Sequence, residues 1–379
     1  MKIMILGSGL VGAPMARDLA EDSRFQVAVA DIQPEALAKL AQESRITAVQ
    51  KDLSKPANLK KLISDYHLVI NALPGFMGFQ TLKTVIEARK DVIDISFFSE
   101  DPFELDSLAK SNNVTAIVDC GVSPGMSNVL IGHVNHLLDS TDSIEIFVGG
   151  LPETREWPYE YKASFSPADV IEEYIRPARF MENGKLVEKP ALSDPEYINF
   201  PQIGTLEAFL TDGLRTLVKT IHAPHMVEKT LRYPGHAEKM KMLRETGFFR
   251  KQEISVNGVN IKPVDMTAAL LFPKWKLNDL DKDLTVMMMS VEGRKKHQRW
   301  RYVYKLLDRY DGTRQIHSMA RTTGYTATVA LRMASEGLYT RKGISPPEYI
   351  GQKPQCVEFM LKGLKQRGVV YEEKAEKLD

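Results

Sequence analysis

The sequence predicts an α/β protein: a doubly wound parallel sheet, followed by an α+β domain with a mainly antiparallel sheet. Three observations predict this fold class. First, an apolar strand runs directly into G-x-G-x-x-G at residues 7–12. Second, apolar strands alternate with helices through the first 121 residues. Third, the strands become longer and alternate between apolar and polar residues from about residue 126 onward.

The strands of the first part are short and apolar, and helical stretches separate them. They are expected at 2–7, 25–30, 46–51, 67–72, 91–95 and 114–119. Helices are expected between them, for example at 11–21, 34–43, 56–64 and 79–88. Parallel strands connected by helices bind ligands outside their carboxyl ends, so that edge of the sheet is where a site is expected.

In the second part, a different pattern predicts a different sheet. Strands are expected at 143–149, 226–233, 252–256, 284–292 and 299–307, and helices at 321–336 and within 347–366. Strands without regular intervening helices favour antiparallel pairing. We expect a first domain at 1–125, a second at 126–320, and C-terminal helices at about 321–379 that pack back onto the first domain.

The glycine motif predicts a dinucleotide site in a Rossmann-type domain. Gly7 permits the tight turn, Gly9 lets a pyrophosphate approach the backbone, and Gly12 lets the following helix pack closely. Asp31 follows the second strand, nineteen residues after Gly12, where a carboxylate can accept the ribose hydroxyls of NAD and repel the 2′-phosphate of NADP. NAD is therefore the expected cofactor and NADP the alternative. The cofactor residues of the motif are Gly7, Ser8, Gly9, Leu10, Val11 and Gly12.

Polar side chains follow the carboxyl ends of the later strands. Asp52, Asn71, Leu73 and Pro74 are expected to extend the cofactor site, and Asp94 and Asp119 to face the same cleft. Each could instead cap a helix or stabilise a turn. Their recurrence at successive strand ends is what favours a ligand cleft.

Composition excludes several classes of protein. The formal net charge is +1, which gives no general attraction to nucleic acid or to membranes, and the basic cluster at 294–299 is interpreted as a hairpin turn. Two cysteines, Cys120 and Cys356, fit a reducing, cytoplasmic compartment rather than a disulfide framework. The first residues read as a strand rather than a signal peptide, and no apolar run is long enough to span a membrane. No metal site is expected from the histidine spacings.

Several segments together resemble the saccharopine dehydrogenase-like family and, within it, are most similar to the L-lysine 6-dehydrogenases. The similarity extends over nearly the whole chain. Its markers are residues 7–12, 71–76, 119–126, 148–152, 230–239 and 319–324. The resemblance implies a substrate-binding and dimerisation domain at 126–320, a homodimer, and oxidation of a carbon–nitrogen bond of a small amino acid.

The resemblance, together with the chemistry such a reaction needs, suggests roles for individual residues. Arg232 is the first choice to bind the substrate carboxylate, because the guanidinium group matches a carboxylate in geometry and charge. His236 could shuttle a proton near neutral pH, oriented by Glu238. Asp94, Asp119 or Glu238 could bind the substrate ammonium group, and either aspartate could act as base. The further substrate-binding candidates are Lys239, Tyr161 and Ser123.

Two alternatives to lysine 6-dehydrogenase remain. A glutamate-forming saccharopine reductase shares several of these segments, but such enzymes typically carry aspartate where this chain has Ser123, and they tend to be longer. A catalytically silent NAD-binding sensor would bind the cofactor without turnover, and the intact polar set around Arg232 argues against it.

Overall fold

The computed structural model describes residues 1–278 and 281–379. The chain forms two compact units, each built from two segments. Unit 1 comprises Met1–Leu137 and Met319–Tyr371, and unit 2 comprises Leu138–Ser318 and Glu372–Asp379.

Strands make up the centre of both units. In chain order they are β1 Lys2–Leu6, β2 Gln26–Asp31, β3 Ile46–Gln50, β4 Leu68–Asn71, β5 Asp91–Asp94, β6 Thr115–Ile117, β7 Ser140–Pro152, β8 Ala178–Glu182, β9 Lys185–Lys189, β10 Glu196–Phe200, β11 Gly204–Leu210, β12 His225–Arg232, β13 Ile254–Val256, β14 Val259–Ile261, β15 Asp283–Lys295, β16 Gln298–Arg309, β17 Gly343–Ser345 and β18 Glu372–Leu378.

The helices connect and cover these strands. They are α1 Gly12–Ala20, α2 Pro34–Ala41, α3 Pro56–Ile63, α4 Gly75–Glu87, α5 Asp106–Ser111, α6 Met126–Leu137, α7 Pro167–Ile175, α8 Leu217–Thr220, α9 His236–Thr246, α10 Pro263–Trp275, α11 Ser318–Ser335, α12 Pro347–Gly351 and α13 Pro354–Gln366. None of the helices in the described part of the chain has both the length and the apolar character that crossing a membrane requires.

Unit 1 contains the predicted parallel sheet. Its strand order is β17-β6-β5-β4-β1-β2-β3, and every neighbouring pair is parallel. Strands β1 and β4 are almost entirely buried because helices cover both faces of the sheet. Strand β1 lies between β2 and β4, so the order of the strands reverses at the glycine turn, which is the usual place for a ligand in such a sheet.

Unit 2 contains the predicted, mainly antiparallel sheet. Its order is β10-β11-β12-β7-β15-β16-β18, with β8 and β9 attached at β12. One neighbouring pair, β12 with β7, is parallel. The basic cluster forms the turn between β15 and β16, where Lys296 and His297 have φ of 50° and 67°. Two successive positive φ values are typical of a tight hairpin turn, as expected for this segment.

The structure departs from the sequence expectations in several elements. The pattern did not predict β8–β11, β14 or β17. The expected helix within 347–366 is divided in two, because Pro354 begins α13. Residues 372–378, expected among C-terminal helices, instead form β18, which pairs antiparallel with β16. This strand is rich in Glu and Lys and lies at the edge of its sheet, where charge discourages pairing with other chains.

Candidate active site

The glycine turn at the end of β1 has the geometry that a pyrophosphate site needs. Gly7 has φ of +101°, and a Cβ on Gly12 would lie 2.1 Å from the carbonyl oxygen of Gly7. Both positions therefore require glycine. A Cβ on Gly9, by contrast, would meet no described atom within 4 Å. The backbone at Gly9 is open on that side, so a phosphate group could approach it closely.

Asp31 is bonded directly to this turn. Its Oδ2 accepts hydrogen bonds from the Ser8 amide at 2.7 Å and the Ser8 hydroxyl at 2.9 Å, and its Oδ1 accepts from the Gln33 amide at 2.9 Å. The carboxylate thus lies beside the phosphate turn, where a ribose is expected to follow. Beside Ser8, Leu10 is partly exposed and Val11 is half-buried.

The other predicted cofactor residues fall into two groups. Asp52 accepts from the amide and hydroxyl of Ser54, at 3.0 and 2.6 Å, so its carboxylate stabilises a local turn. Asn71 is fully buried and its Nδ2 donates to Asp94 Oδ2 at 2.8 Å. Leu73 and Pro74 follow Asn71 and lead into α4. Asn71 therefore belongs with Asp94 in one cluster, whereas Asp52 bonds to its own loop.

Asp94 is a buried carboxyl group held by neutral donors. Its Oδ2 accepts from Asn71, and its Oδ1 accepts from both the amide and the hydroxyl of Ser96. Burial raises the pKa of Asp94 to about 7, even though the bonds from Ser96 and Asn71 lower it, and the charge of Asp119 raises it further. Asp94 can therefore exchange a proton near neutral pH.

Asp119 and Ser123 lie in the turn that precedes α6. Asp119 is buried and has φ of 51°, a conformation that non-glycine residues seldom adopt. Ser123 Oγ accepts from Ser127 at 3.0 Å. Cys120 lies between these two residues in the sequence. Burial raises the pKa of its thiol, so this cysteine is unreactive and serves for packing.

In unit 2, one face of β12 is polar although it is buried. Glu228, Thr230 and Arg232 alternate along the strand and are 3%, 5% and 3% exposed. A core sheet face normally carries apolar side chains, because burying an unpaired charge is costly. This stripe therefore marks the chemically unusual region of unit 2.

Arg232 is held by several groups within unit 2. Its Nη2 donates to Glu173 Oε2 at 3.1 Å, its Nη1 to the Leu231 carbonyl at 2.9 Å, and its Nε to Tyr174 Oη at 3.4 Å. The guanidinium carbon lies 4.6 Å from the centre of the Tyr161 ring. A carboxylate from the chain itself, Glu173, thus occupies the kind of position predicted for the substrate carboxylate.

His236 is buried and electrically neutral. Its Nδ1 lies 3.1 Å from the Tyr159 carbonyl, which only accepts, so Nδ1 carries the proton and Nε2 accepts from Tyr174 Oη at 2.9 Å. Burial, with the charge of Arg232, lowers the pKa of His236 to about 3. The expectation that His236 titrates near neutral pH is therefore wrong.

The remaining candidates on α9 are more exposed. Glu238 is exposed and Lys239 is half-buried. Both ring nitrogens of His236 bond to tyrosine groups, so Tyr159 and Tyr174 orient this histidine, not Glu238 as expected.

Tyr161 is buried against His236, with ring centres 5.1 Å apart. Among the described residues its hydroxyl has no hydrogen-bond partner.

Sequence reasoning missed a second polar cluster, in the buried loop 211–217 after β11. Asp212 forms a two-bond ion pair with Arg179, at 2.8 and 3.0 Å. Arg215 is 6% exposed, and burial together with the charge of Arg215 lowers the pKa of Arg176. The only signal in the sequence was the polar stripe on β12, which packs against this loop.

No group of three or more His, Cys, Asp or Glu within 1–278 and 281–379 is arranged to hold a metal ion.

Two family models together match most of this chain. Residues 3–117 match the saccharopine dehydrogenase NADP binding domain, and residues 121–369 match the saccharopine dehydrogenase C-terminal domain. The alpha-aminoadipic semialdehyde synthase of Mus musculus is 25% identical over 274 residues, which cover 66% of this chain and 29% of that protein.

Fungal saccharopine dehydrogenases [NADP(+), L-glutamate-forming] are also similar. That of Pyricularia oryzae is 28% identical over 66% of this chain and 58% of the enzyme, and that of Saccharomyces cerevisiae is 26% identical over 71% and 62%. The chain thus spans less than two thirds of these curated relatives.

The fold resembles that of the apo saccharopine dehydrogenase (L-Glu forming) from Saccharomyces cerevisiae, with a TM-score of 0.80 and 20% identity over 99% of both chains. This match supports the two-domain fold. The two matching family models confirm the family predicted from the sequence. The chain belongs to the saccharopine dehydrogenase family.

Proposed function

We propose that this protein is an NAD-dependent dehydrogenase that oxidises a carbon–nitrogen bond of an amino acid, with L-lysine as the first candidate substrate. The observation that carries this proposal is Asp31, bonded to the glycine turn in a member of this family. A carboxylate at that position favours the free ribose hydroxyls of NAD over a 2′-phosphate. The family domain is described as NADP-binding, so the cofactor must be tested directly.

The reaction sets two requirements for the residues of this chain. NAD, when bound, would supply the hydride acceptor for the amine-bearing carbon, and hydrolysis of the resulting imine by water would release ammonia and leave an aldehyde that can cyclise with the α-amino group. The amine must first lose a proton, which for a free lysine side chain of pKa about 10.4 costs about 4–5 kcal/mol at pH 7. The substrate carboxylate also needs a cation.

We propose that Asp94 is the group that accepts the amine proton, because its pKa lies near 7. Only its ionised form can act as a base, so oxidation should become faster as the pH rises through about 7. Asp94→Asn should lower kcat about 100-fold or more and remove this rise, since general bases typically contribute 10²–10⁴-fold. Initial rates between pH 5.5 and 9 measure both effects.

Asp65→Asn is the control for this experiment, because Asp65 is an exposed aspartate of the same unit. Its pH profile should match that of the unaltered protein. If Asp94→Asn keeps both the rate and the inflection near pH 7, another group is the base.

For the substrate carboxylate, the structure offers two candidate sites. Arg232 is already ion-paired with Glu173. Arg215 lies close enough to Arg176 for its charge to lower the pKa of that residue. Arg215 is buried, and the hydroxyl of the adjacent Thr216 has no hydrogen-bond partner among the described residues, so we propose Arg215 as the carboxylate ligand and keep Arg232 as the alternative. Arg215→Ala should raise the substrate KM about 100-fold, the loss expected for one charge-assisted pair.

A substrate panel read by NADH absorbance tests the proposed reaction. NADH should form with L-lysine and NAD, and more slowly with NADP. Formation with saccharopine instead would identify the runner-up, which the relatives named saccharopine dehydrogenase favour. Binding of NAD without turnover of lysine, saccharopine or related diamino acids would identify a silent sensor and contradict the proposal.

We also propose that the protein is a homodimer. The family resemblance and the amphipathic strands of unit 2 support this. Sedimentation velocity at micromolar concentration should give a mass of twice 42.7 kDa, and a single species of 42.7 kDa would contradict it.

A further inference from the structure

Loop 211–217, which connects β11 to α8 and includes the first residue of α8, is unusual because all of its residues are buried. Residues 211–217 include four polar side chains: Thr211, Asp212, Arg215 and Thr216 are between 3% and 6% exposed. Connecting loops normally lie at the surface, where water satisfies their polar groups. A buried polar loop therefore needs fixed partners within the fold.

Two sets of contacts anchor parts of this loop. Arg179 holds Asp212 through two hydrogen bonds. Leu214 and Leu217 are completely buried. These contacts anchor the loop at Asp212 and at its two leucines. The loop also contacts the buried carboxyl group of Glu228, a residue of β12.

Glu228 contacts the loop at two positions, Thr211 and Gly213. Its Oε2 accepts from Thr211 Oγ1 at 2.6 Å and from the Gly213 amide at 3.1 Å. A Cβ on Gly213 would lie 2.3 Å from Cδ of Glu228. The backbone at Gly213 thus lies directly against the carboxyl group, and a larger residue at this position would require the Glu228 side chain to move.

The residues held in place by these anchors are suited to an anion. Arg215 adopts φ of 53°, a left-handed conformation that persists in a non-glycine residue only when its surroundings impose it. Within the described residues, the buried Thr216 Oγ1 has no hydrogen-bond partner. A guanidinium group and a buried hydroxyl on adjacent residues can together bind a carboxylate.

We propose that Glu228 is a positioning residue that holds loop 211–217 and thereby fixes Arg215 and Thr216 for the carboxylate of the amino-acid substrate. The substrate part of this statement rests on the proposed function. The holding of the loop does not, because it can be measured in the absence of any substrate.

The charge state of Glu228 follows from its surroundings. Burial raises its pKa to about 8, against the bonds from Thr211 and Gly213, and the negative charges of Glu173 and Asp212 raise it further. Glu173 is paired with Arg232, and Asp212 with Arg179. The folded protein therefore retains a proton on Glu228 that the unfolded chain loses above the ordinary glutamate pKa of 4.5. The stabilisation from this proton is complete at low pH and disappears as the pH rises through about 8.

Two substitutions separate the hydrogen bonds of Glu228 from its size. Glu228→Gln keeps a carbonyl oxygen that can accept from Thr211 and Gly213, whereas Glu228→Met keeps only the volume. In cofactor-free protein, amide hydrogen exchange of 211–217 should rise about 10-fold or more in Glu228→Met and stay near the original value in Glu228→Gln. Substrate KM should rise at least about 10-fold in Glu228→Met, with kcat little changed and with rescue in Glu228→Gln.

Glu207→Met is the matched control. Glu207 is as buried as Glu228, but it accepts from the Ala237 amide at the start of α9. Its loss should increase exchange in α9 and leave 211–217 protected.

Urea unfolding at several pH values tests the charge state of Glu228. Between pH 5 and 8, the free energy of unfolding should fall less in Glu228→Gln than in the unaltered protein.

Unchanged exchange of 211–217 in Glu228→Met would overturn the proposal. So would a uniform increase across unit 2, because that would show a merely structural role. If exchange rises in the loop alone but no amino acid is turned over, the proposed function fails and the role of Glu228 in holding the loop stands. If the loop opens while KM is unchanged, the link to the substrate carboxylate is wrong.

Discussion

Asp31→Ala is expected to weaken NAD binding about 100-fold, because it removes two hydrogen bonds to the ribose, each worth about 1.5 kcal/mol or more when the acceptor is charged. It also removes the carboxylate that holds the Ser8 amide and hydroxyl, so the glycine turn loses an anchor. NADP binding should fall much less, because the repulsion of the 2′-phosphate is lost as well. Isothermal titration with each cofactor measures both affinities.

Asp52→Ala is the control for this prediction. Asp52 follows the neighbouring strand β3, but its carboxylate bonds to Ser54 within its own turn. NAD affinity should therefore change less than about threefold. Tight binding of NAD by Asp31→Ala, or a preference of the unaltered protein for NADP, would remove Asp31 from the cofactor assignment.

The second large effect is expected from Arg232→Ala. This substitution leaves the Glu173 carboxylate without its ion-pair partner in the interior of unit 2, which typically costs about 3–5 kcal/mol. Unfolding in urea, followed by the fluorescence of the buried Trp275, measures the loss. Arg232→Met combined with Glu173→Gln should recover much of it, because the double variant leaves no charge behind.

Lys229 provides a control on the same strand. Its side chain points to the opposite face of β12 and pairs with the more exposed Glu196 at 2.6 Å. Lys229→Ala should therefore cost no more than about 1 kcal/mol. If Arg232→Ala is equally mild but raises the substrate KM strongly, Arg232 binds the substrate carboxylate as first expected.

Features encoded by neighbouring residues were predictable from the sequence. The glycine turn is encoded by three glycines that are two and three residues apart. Asp31 is located by the end of one apolar strand. The parallel sheet was predicted from the regular alternation of strands and helices in the first 121 residues. The turn, the position of Asp31 at the end of β2 and the parallel sheet are confirmed, because local patterns determine them, whereas the cofactor role of Asp31 stays a prediction.

Features that depend on distant pairing were not predictable. His236 was expected to carry a proton near neutral pH, but its neutral state results from burial beside Tyr174, 62 positions earlier. In the sequence, Glu228 is one charge in an ordinary strand. Its contacts arise only from the packing of β12 against loop 211–217. Strand β18 has no apolar alternation that would identify it as a strand. Its pairing with β16 is visible only in the structure.

The division of each unit into two segments affects the order in which the protein can fold during synthesis. Strand β17 completes the sheet of unit 1, and β18 completes the sheet of unit 2. Both strands follow residue 342, so neither sheet can be completed while the ribosome is still adding the preceding residues. Domains usually fold one after another as they emerge. Here the two units become complete almost together, and until then β6 and β16 remain unpaired edges that are open to pairing with other chains.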